Sequence, residues 1–274
     1  MTTGLAQQHG TLRHVRALVG AAHIGPALAV TLLAGLLSAA QGLDLGTGTL
    51  VVAAVFAGQL SIGWSNDLID LTRDRQAGRE DKPLATGEGS VGVVRVACLV
   101  AVVACVVLSL ALGLTAGLLH LGCVAAAWSY NLGLKSTVWS WVPYAVSFGG
   151  LTAVVTWADG EAPPWWWPVS AALLGVGAHL LNVLPDLDDD AATGVRGLPH
   201  RLGPRRIAPV AAAVLVAASI VVLVGAAPPV AVSIAAALAV LGLAVLVVSA
   251  SGRLPFVAAV AIALVDTLLL VVAR

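Results

Sequence analysis

Residues 65–83 read SNDLIDLTRDRQAGREDKP and follow the apolar run LVVAAVFAGQLSIGW (50–64) with almost no transition. Asp67, Asp70 and Asp74 therefore stand where an apolar helix would be expected to end in a simple cap. The nature of the apolar run decides the fold, and the reason for the three carboxylates decides the function.

Of the 274 residues, 59% are hydrophobic and only 10% are Asp, Glu, Lys or Arg. A soluble domain carries about 25% charged residues, so the main solvent of this chain is lipid. Crossing the hydrocarbon core takes about 20 mostly apolar residues. Nine runs qualify, at roughly 22–41, 48–66, 91–112, 114–132, 138–157, 165–184, 207–225, 228–248 and 253–273. Lipid permits only helices or closed barrels, and these runs are too long for barrel strands. The expected fold is all-α and integral to the membrane. Nine transmembrane helices form one bundle around an apolar chamber that opens to acidic loops on the cytoplasmic side. The abundant Ala, Val, Leu and Gly suit close helix packing. The chain reads as a single domain over 1–274, with a polar N-terminal segment at 1–21. The first apolar run has no small-residue cleavage site and reads as an uncleaved helix. Cys98, Cys105 and Cys123 lie in apolar runs without CxxC spacing and read as small packing residues.

The chain holds 14 basic and 14 acidic residues, and this balance gives no field suited to nucleic acid. Placement is more telling than the sum. With nine spans, Arg13, Arg16, Arg73, Arg75, Arg79, Lys82, Arg95, Lys135, Arg196, Arg201, Arg205, Arg206 and Arg253 fall on one side, and Arg274 on the other. The excess of bases puts the N-terminus and the two long loops, at about 67–90 and 185–206, in the cytoplasm, with the C-terminus opposite. Trp165, Trp166 and Trp167 suit the outer interface.

Asn66, Asp70 and Asp74 are spaced by four and line one face of a helix, with Asp67 one turn from the two aspartates. The second long loop starts from NVLPDLDDDAATGVRGLPHRLG, where Asn182, Asp186 and Asp190 repeat the spacing and Asp188 and Asp189 add charge. His179 falls on the same helical face. Helix C-termini favour bases, yet acids collect at two of them here. Like charges this close need a cation, and an all-oxygen donor set suits Mg²⁺ or Ca²⁺. Mg²⁺ prefers carboxylates shared with substrate phosphates, and each cluster is followed by bases able to contact phosphate oxygens. With an apolar bundle behind the site, a prenyl diphosphate has the required head and tail.

The segments NDLIDLTRD, KPLATG, YNLGLK and NVLPDLDDDAATGVRGLPHRLG, in that order, resemble the UbiA superfamily of intramembrane prenyltransferases over the whole chain. The resemblance implies that Asn66, Asp70 and Asp74, with Asp67 close by, serve a first Mg²⁺. Asp186 and Asp190, with Asn182 one turn earlier, would serve a second. Tyr130 and Lys135 would reach the diphosphate and, with Asp70 and Asp186, form the catalytic set. Lys82 stands where the family usually has Arg, and Arg79 is able to share that role. Two departures fall near the acceptor: His23-Ile24 replaces an Arg-Pro pair, and VRGLPHRLG replaces the quinone-pathway sequence.

The implied reaction is ionisation of a prenyl diphosphate, with leaving-group charge stabilised by Mg²⁺ and bases, followed by attack from an aromatic or quinone-precursor acceptor. His23, Trp64 and His179 are weaker candidates for acceptor or cation contacts, and the faces of Trp64, Trp128 and Tyr130 are of the right kind to stabilise a cation. A terpene cyclase of the same superfamily would need no acceptor. A lipid-linked sugar or phosphoribosyl transferase is a further reading. A cation transporter fits poorly, because the acids gather at one face. Asp266, inside the last span, belongs to neither motif and reads as a buried, hydrogen-bonded packing residue.

Overall fold

The computed structural model describes residues 15–272, with side chains to Leu269. Arg13, Arg274 and the rest of 1–14 lie outside the described residues. Residues 15–21 are helical and lead through His23 into α1 (Ile24–Gln41). There follow α2 (Leu45–Gln76), α3 (Val91–Ala111), α4 (Leu114–Leu132), α5 (Val142–Ala158) and α6 (Trp166–Val183). The last three are α7 (Pro204–Ala226), α8 (Val230–Ser249) and α9 (Leu254–Val272). No strand occurs among the described residues.

Six of these helices, α1, α2, α3, α6, α7 and α8, are long and apolar enough to cross a membrane, and α5 and α9 are shorter apolar helices. α4 carries His120, Ser129, Tyr130 and Asn131, which lower its hydropathy. Outward-facing apolar side chains such as Leu99 and Leu238, 63% and 65% exposed, give the surface that lipid requires. The protein is a multi-pass membrane protein.

Helix starts follow local chemistry. The Asp44 carboxylate caps α2 by accepting from the N–H groups of Gly46 and Thr47, and Ser90 caps α3 through the Val93 N–H. α2 extends ten residues beyond the predicted span end, to Gln76. The sequence from 66 to 76 contains no Gly or Pro, and the buried aspartates face inward, so the helix ends only before Gly78, at φ 65.

After α6 the register breaks. Pro185, which lacks an N–H, lies in a 3₁₀ turn (Leu184–Asp186), followed by short helices Leu187–Ala192 and Leu198–Leu202. The spacing of Asn182, Asp186 and Asp190 therefore does not run along one continuous α-helix. Successive long helices pack side by side, α9 touches α1, and a cavity lies among the helices. One hydrophobic cluster, with Leu37, Val51, Val154, Trp167 and Val222, fills one part of the bundle. A second, with Leu180, Ile207, Leu215 and Ile262, fills another.

Candidate active site

The acids of α2 are buried: Asp67, Asp70 and Asp74 are 1%, 6% and 4% exposed. Each buried charge has a basic neighbour, as burial requires. Lys82 Nζ lies 2.5 Å from Asp67 Oδ1 and donates to Asn66 Oδ1 at 3.4 Å. His23 Nε2 is 2.9 Å from Asp67 Oδ1 and 2.8 Å from Lys82 Nζ. Lys135 Nζ donates to Asp70 Oδ1 at 2.6 Å, and Arg73 Nη2 donates to Asp70 Oδ2 at 2.8 Å. Arg73 Nε stands 3.8 Å from Asp74. The Asn66 amide donates to Asp70 Oδ2 and to Asn131 Oδ1, both at 3.2 Å. Asn131 in turn donates to Ile62 O and Ser65 Oγ, both at 3.0 Å.

Two backbone features bring these groups together. His23 takes a left-handed conformation, φ 50, immediately before α1. Gly63 lets α2 approach that turn, and a Cβ there would overlap the Ala22 carbonyl. Lys135 is buried in the 3₁₀ turn Leu134–Ser136 after α4. Burial pushes its ammonium pKa down, while the Asp70 hydrogen bond opposes that.

The second cluster is more open. Asn182 and Asp186 are exposed and Asp190 is half-buried. The charges of Asp74 and Asp186 both act on Arg79, and those of Asp70 and Asp190 both act on Lys135. Arg79 also donates to both carboxylate oxygens of Asp81 at 2.8 Å, which holds that carboxyl down at about 2.

Behind the acids lies a cavity of about 500 Å³. Asn66, Tyr130, Asn131, Tyr144 and Asn182 line its polar end, and Phe148, Leu151, Leu174, Trp167 and Val222 line the apolar part. Leu32 and Leu264, which also line it from α1 and α9, are 63% and 42% exposed, so the cavity borders the lipid-facing surface there.

Of the weaker candidates, His23 lines the cavity. Trp64 instead donates to Leu18 O at 3.0 Å and packs with Ala21, Leu84 and Val94, and Trp128 donates to Ser61 Oγ; neither lines the cavity. His179, expected beside Asn182, is fully buried behind Tyr130 and Tyr144 and bonded to Ser140 at 3.0 Å. Asn131, Arg73 and Tyr144 are the additions. Asn131 and Arg73 stand inside the quoted segments, and their contacts come from tertiary packing. Tyr144, edge-on to Tyr130 with ring centroids 5.4 Å apart, has no motif around it.

Among the described residues no group of three or more His, Cys, Asp or Glu side chains is gathered to hold a metal ion as they stand. The donor chemistry nevertheless fits a hard cation. Asp67 Oδ2 is buried without a partner, and every neighbouring acid or amide offers oxygen.

A family model, the UbiA prenyltransferase family, matches residues 27–270. No curated protein matches the chain in sequence. The chain is similar in structure to a UbiA homolog from Archaeoglobus fulgidus bound to GPP and Mg²⁺, with TM-score 0.69 and 14% identity, covering 96% of this chain and 98% of that one. It is also similar to the apo UbiA homolog from Aeropyrum pernix K1, with TM-score 0.72 and 17% identity, over 91% and 98% of the two chains. A digeranylgeranylglyceryl phosphate synthase gives TM-score 0.66 and 16% identity, over 95% and 98%. At these identities the structures establish a shared fold, while the family model covers most of the sequence: the chain belongs to the UbiA prenyltransferase family.

Proposed function

We propose that the protein is a single-domain, Mg²⁺-dependent membrane enzyme that ionises a prenyl diphosphate and transfers the prenyl group to an aromatic or quinone-precursor acceptor. One observation carries this reading: buried acids of α2, paired with Lys82, Lys135 and Arg73, stand beside Asn66 at the polar end of a mostly apolar cavity that Asn182 also lines. The GPP and Mg²⁺ bound by the Archaeoglobus fulgidus homolog support it. So does size. A cavity of about 150 Å³ takes one benzene ring, so about 500 Å³ suits a hydrocarbon on the order of 15–20 carbons. All nine long helices would cross the membrane, and the bases put the site on the cytoplasmic side.

Asn66, Asp67, Asp70 and Asp74 would hold one ion, and Asn182, Asp186 and Asp190 a second. Bound Mg²⁺ supplies positive charge to the leaving diphosphate. Lys135, Lys82 and Arg79 bind diphosphate oxygens and stabilise the charge that grows as the carbon–oxygen bond breaks. Tyr130 orients the diphosphate, and its ring, with those of Tyr144 and Phe148, faces the cation. Apolar walls exclude water. The lipid-facing border at Leu32 and Leu264 suits entry of apolar ligands from the bilayer.

A terpene cyclase is the second reading. It is favoured by an unpartnered oxygen of Asp266, a residue that lines the cavity, and by His23-Ile24 at the acceptor side. Purified protein with Mg²⁺ and prenyl diphosphates of several lengths tests both. Diphosphate release only with an aromatic acceptor supports transfer, release with a cyclic hydrocarbon supports cyclisation, and no release under any condition refutes both.

A further inference from the structure

The polar end of the cavity takes the diphosphate in the reaction proposed above. A second polar spot lies deeper, and no step of that reaction uses it. Gln59 lines the cavity from α2, as Asn66 does. The seven residues between them are close to two turns, so the two amides share one helix face about 10 Å apart. The Asn66 amide is taken up by Asp70 and Asn131. The Gln59 amide has no hydrogen-bond partner among the described residues.

His120 of α4 stands beside it. It is 4% exposed and lines the cavity. A Cβ at Gly58, the residue before Gln59, would lie 3.5 Å from the His120 ring. The Ser109 hydroxyl gives its one proton to Cys105 O, so the 2.7 Å bond between His120 Nδ1 and Ser109 Oγ runs from the ring to the hydroxyl. A charged ring would have no ion-pair partner among the described residues, which burial makes costly. Nδ1 therefore holds the ring's proton, and Nε2 keeps a lone pair with no partner among the described residues. Polar groups this deep are normally satisfied. Together they form a socket for one hydroxyl, whose O–H donates to His120 Nε2 and whose oxygen accepts from the Gln59 amide.

The charges around the cavity define the molecule that brings the hydroxyl. Among the described residues no Lys or Arg lines the cavity. Lys82, Lys135 and Arg79 are held by Asp67, Asp70 and Asp81 at the polar end, where the proposed reaction gives them to diphosphate. Asp266 adds a carboxyl to the wall. A carboxylate ligand inside the chamber would be a buried charge without a partner. The ligand is therefore uncharged.

Its place beside the prenyl tail follows from the packing. A Cβ at Gly177 would touch Leu215, and one at Gly225 would touch Trp166, so α6 and α7 run antiparallel. Ser219, which donates to Asp266, is then level with the stretch from Ala171 to Leu174. At 1.5 Å per residue that level is roughly 15 Å from Asn182, which gives a tail room along the wall of α6 and α9. Gln59 and His120 belong to a different wall, where α2 packs on α4. An aromatic ring held there by its hydroxyl reaches back toward Asn66 and the donor's C1, and bond formation needs a remaining gap of about 3–3.5 Å.

We propose that Gln59 and His120 bind the hydroxyl of the acceptor, and that the acceptor is an uncharged phenol or hydroquinone. This rests on the transfer reaction proposed above and narrows its acceptor. Such a molecule enters from the bilayer at the border formed by Leu32 and Leu264 without shedding a charge.

The test gives purified protein Mg²⁺, geranyl or farnesyl diphosphate and matched acceptors. Phenol, hydroquinone and 1-naphthol are set against 4-hydroxybenzoate, 2,5-dihydroxybenzoate and 1-hydroxy-2-naphthoate, and each neutral acceptor against its methyl ether. Diphosphate release and prenylated product are measured separately. Wild type should use the neutral acceptors with kcat/KM at least about tenfold above their carboxylates and above their ethers. Gln59→Leu should raise KM for the phenols at least about tenfold, keep KM for the prenyl diphosphate within about threefold, and lose the preference for hydroxyl over ether. His120→Phe should lose the same preference and serves should Gln59→Leu fail to fold. The hydroxyl-to-ether ratio is read within each folded variant, so a merely structural role would leave it unmoved. An unchanged ratio, or carboxylates used as well as their neutral partners, overturns the subsite and leaves transfer intact. Diphosphate release with no prenylated acceptor overturns transfer and the subsite together, and no release at all overturns ionisation as well.

Discussion

Lys135 and Asp70, 65 positions apart in the chain, form a buried ion pair with Nζ 2.6 Å from Oδ1. The pair fastens the turn after α4 to the last turns of α2 at the polar end of the cavity. Lys135→Met removes the charge and leaves Asp70 with Arg73 and the Asn66 amide. Breaking a buried pair costs about 3–5 kcal/mol, and loss of one charge-stabilising donor costs about 100-fold or more in turnover. Thermal unfolding in detergent and diphosphate release at a temperature where the variant is folded would measure the two effects separately.

Asp186 should behave differently. It is exposed and sits in a short turn, so Asp186→Asn should shift stability by no more than about 0.5 kcal/mol while abolishing turnover. Asp70→Asn should lose both. Equal destabilisation by the two substitutions would contradict the division into a buried and an open cluster.

Metal and diphosphate should stabilise the folded protein together. Mg²⁺ with inorganic diphosphate at about 100 times the dissociation constant would add about 2.7 kcal/mol. The melting temperature of wild type should rise accordingly, and that of Asp186→Asn should not. A rise with Mg²⁺ alone that survives both Asp70→Asn and Asp186→Asn would place the ion elsewhere.

Ala171 lines the cavity at roughly the depth of Asp266. Ala171→Phe should shorten the space for the tail, so kcat/KM for geranylgeranyl diphosphate should fall at least about tenfold relative to geranyl diphosphate. An unchanged ratio would show that the tail does not run along α6.

Trp64 offers the opposite control. Its indole donates to Leu18 O outside the cavity, so Trp64→Phe should cost about 1 kcal/mol of stability and leave products unchanged. An altered product spectrum would contradict its placement behind the wall.

Much of the architecture was readable because apolar runs of fixed length announce membrane helices whatever their tertiary neighbours. The expected 91–112 and the observed Val91–Ala111 nearly coincide. α2 was longer than its apolar run because its continuation is helical but polar, and hydropathy is silent on that. Pro185 was visible in the sequence, yet its effect on the Asn182–Asp190 register depends on whether the chain kinks or re-forms as a 3₁₀ turn. The acids of α2 stood out by spacing. Their partners did not, because Lys82 reaches Asp67 and Lys135 reaches Asp70 only through folding. Trp64 and Trp128 have faces of the kind that stabilises a cation, but hydrogen bonds to Leu18 and Ser61 hold them in packing positions that do not line the cavity. Asp266 had no visible partner in sequence, since Ser219 is 47 positions away.

The ion pairs of α2 also bear on the stability of the fold. Asp67, Asp70 and Asp74 are matched by Lys82, Lys135 and Arg73, all drawn from the same chain. The cluster is therefore close to neutral before any cation arrives, and the bases act as temporary counter-ions. Small zinc modules unfold when stripped of metal. This bundle should instead tolerate chelators, losing turnover but not its helices. Under the proposed function, the lysines would exchange one anionic partner for another as metal and diphosphate bind, so loading the site would rearrange charge within a fold that already exists.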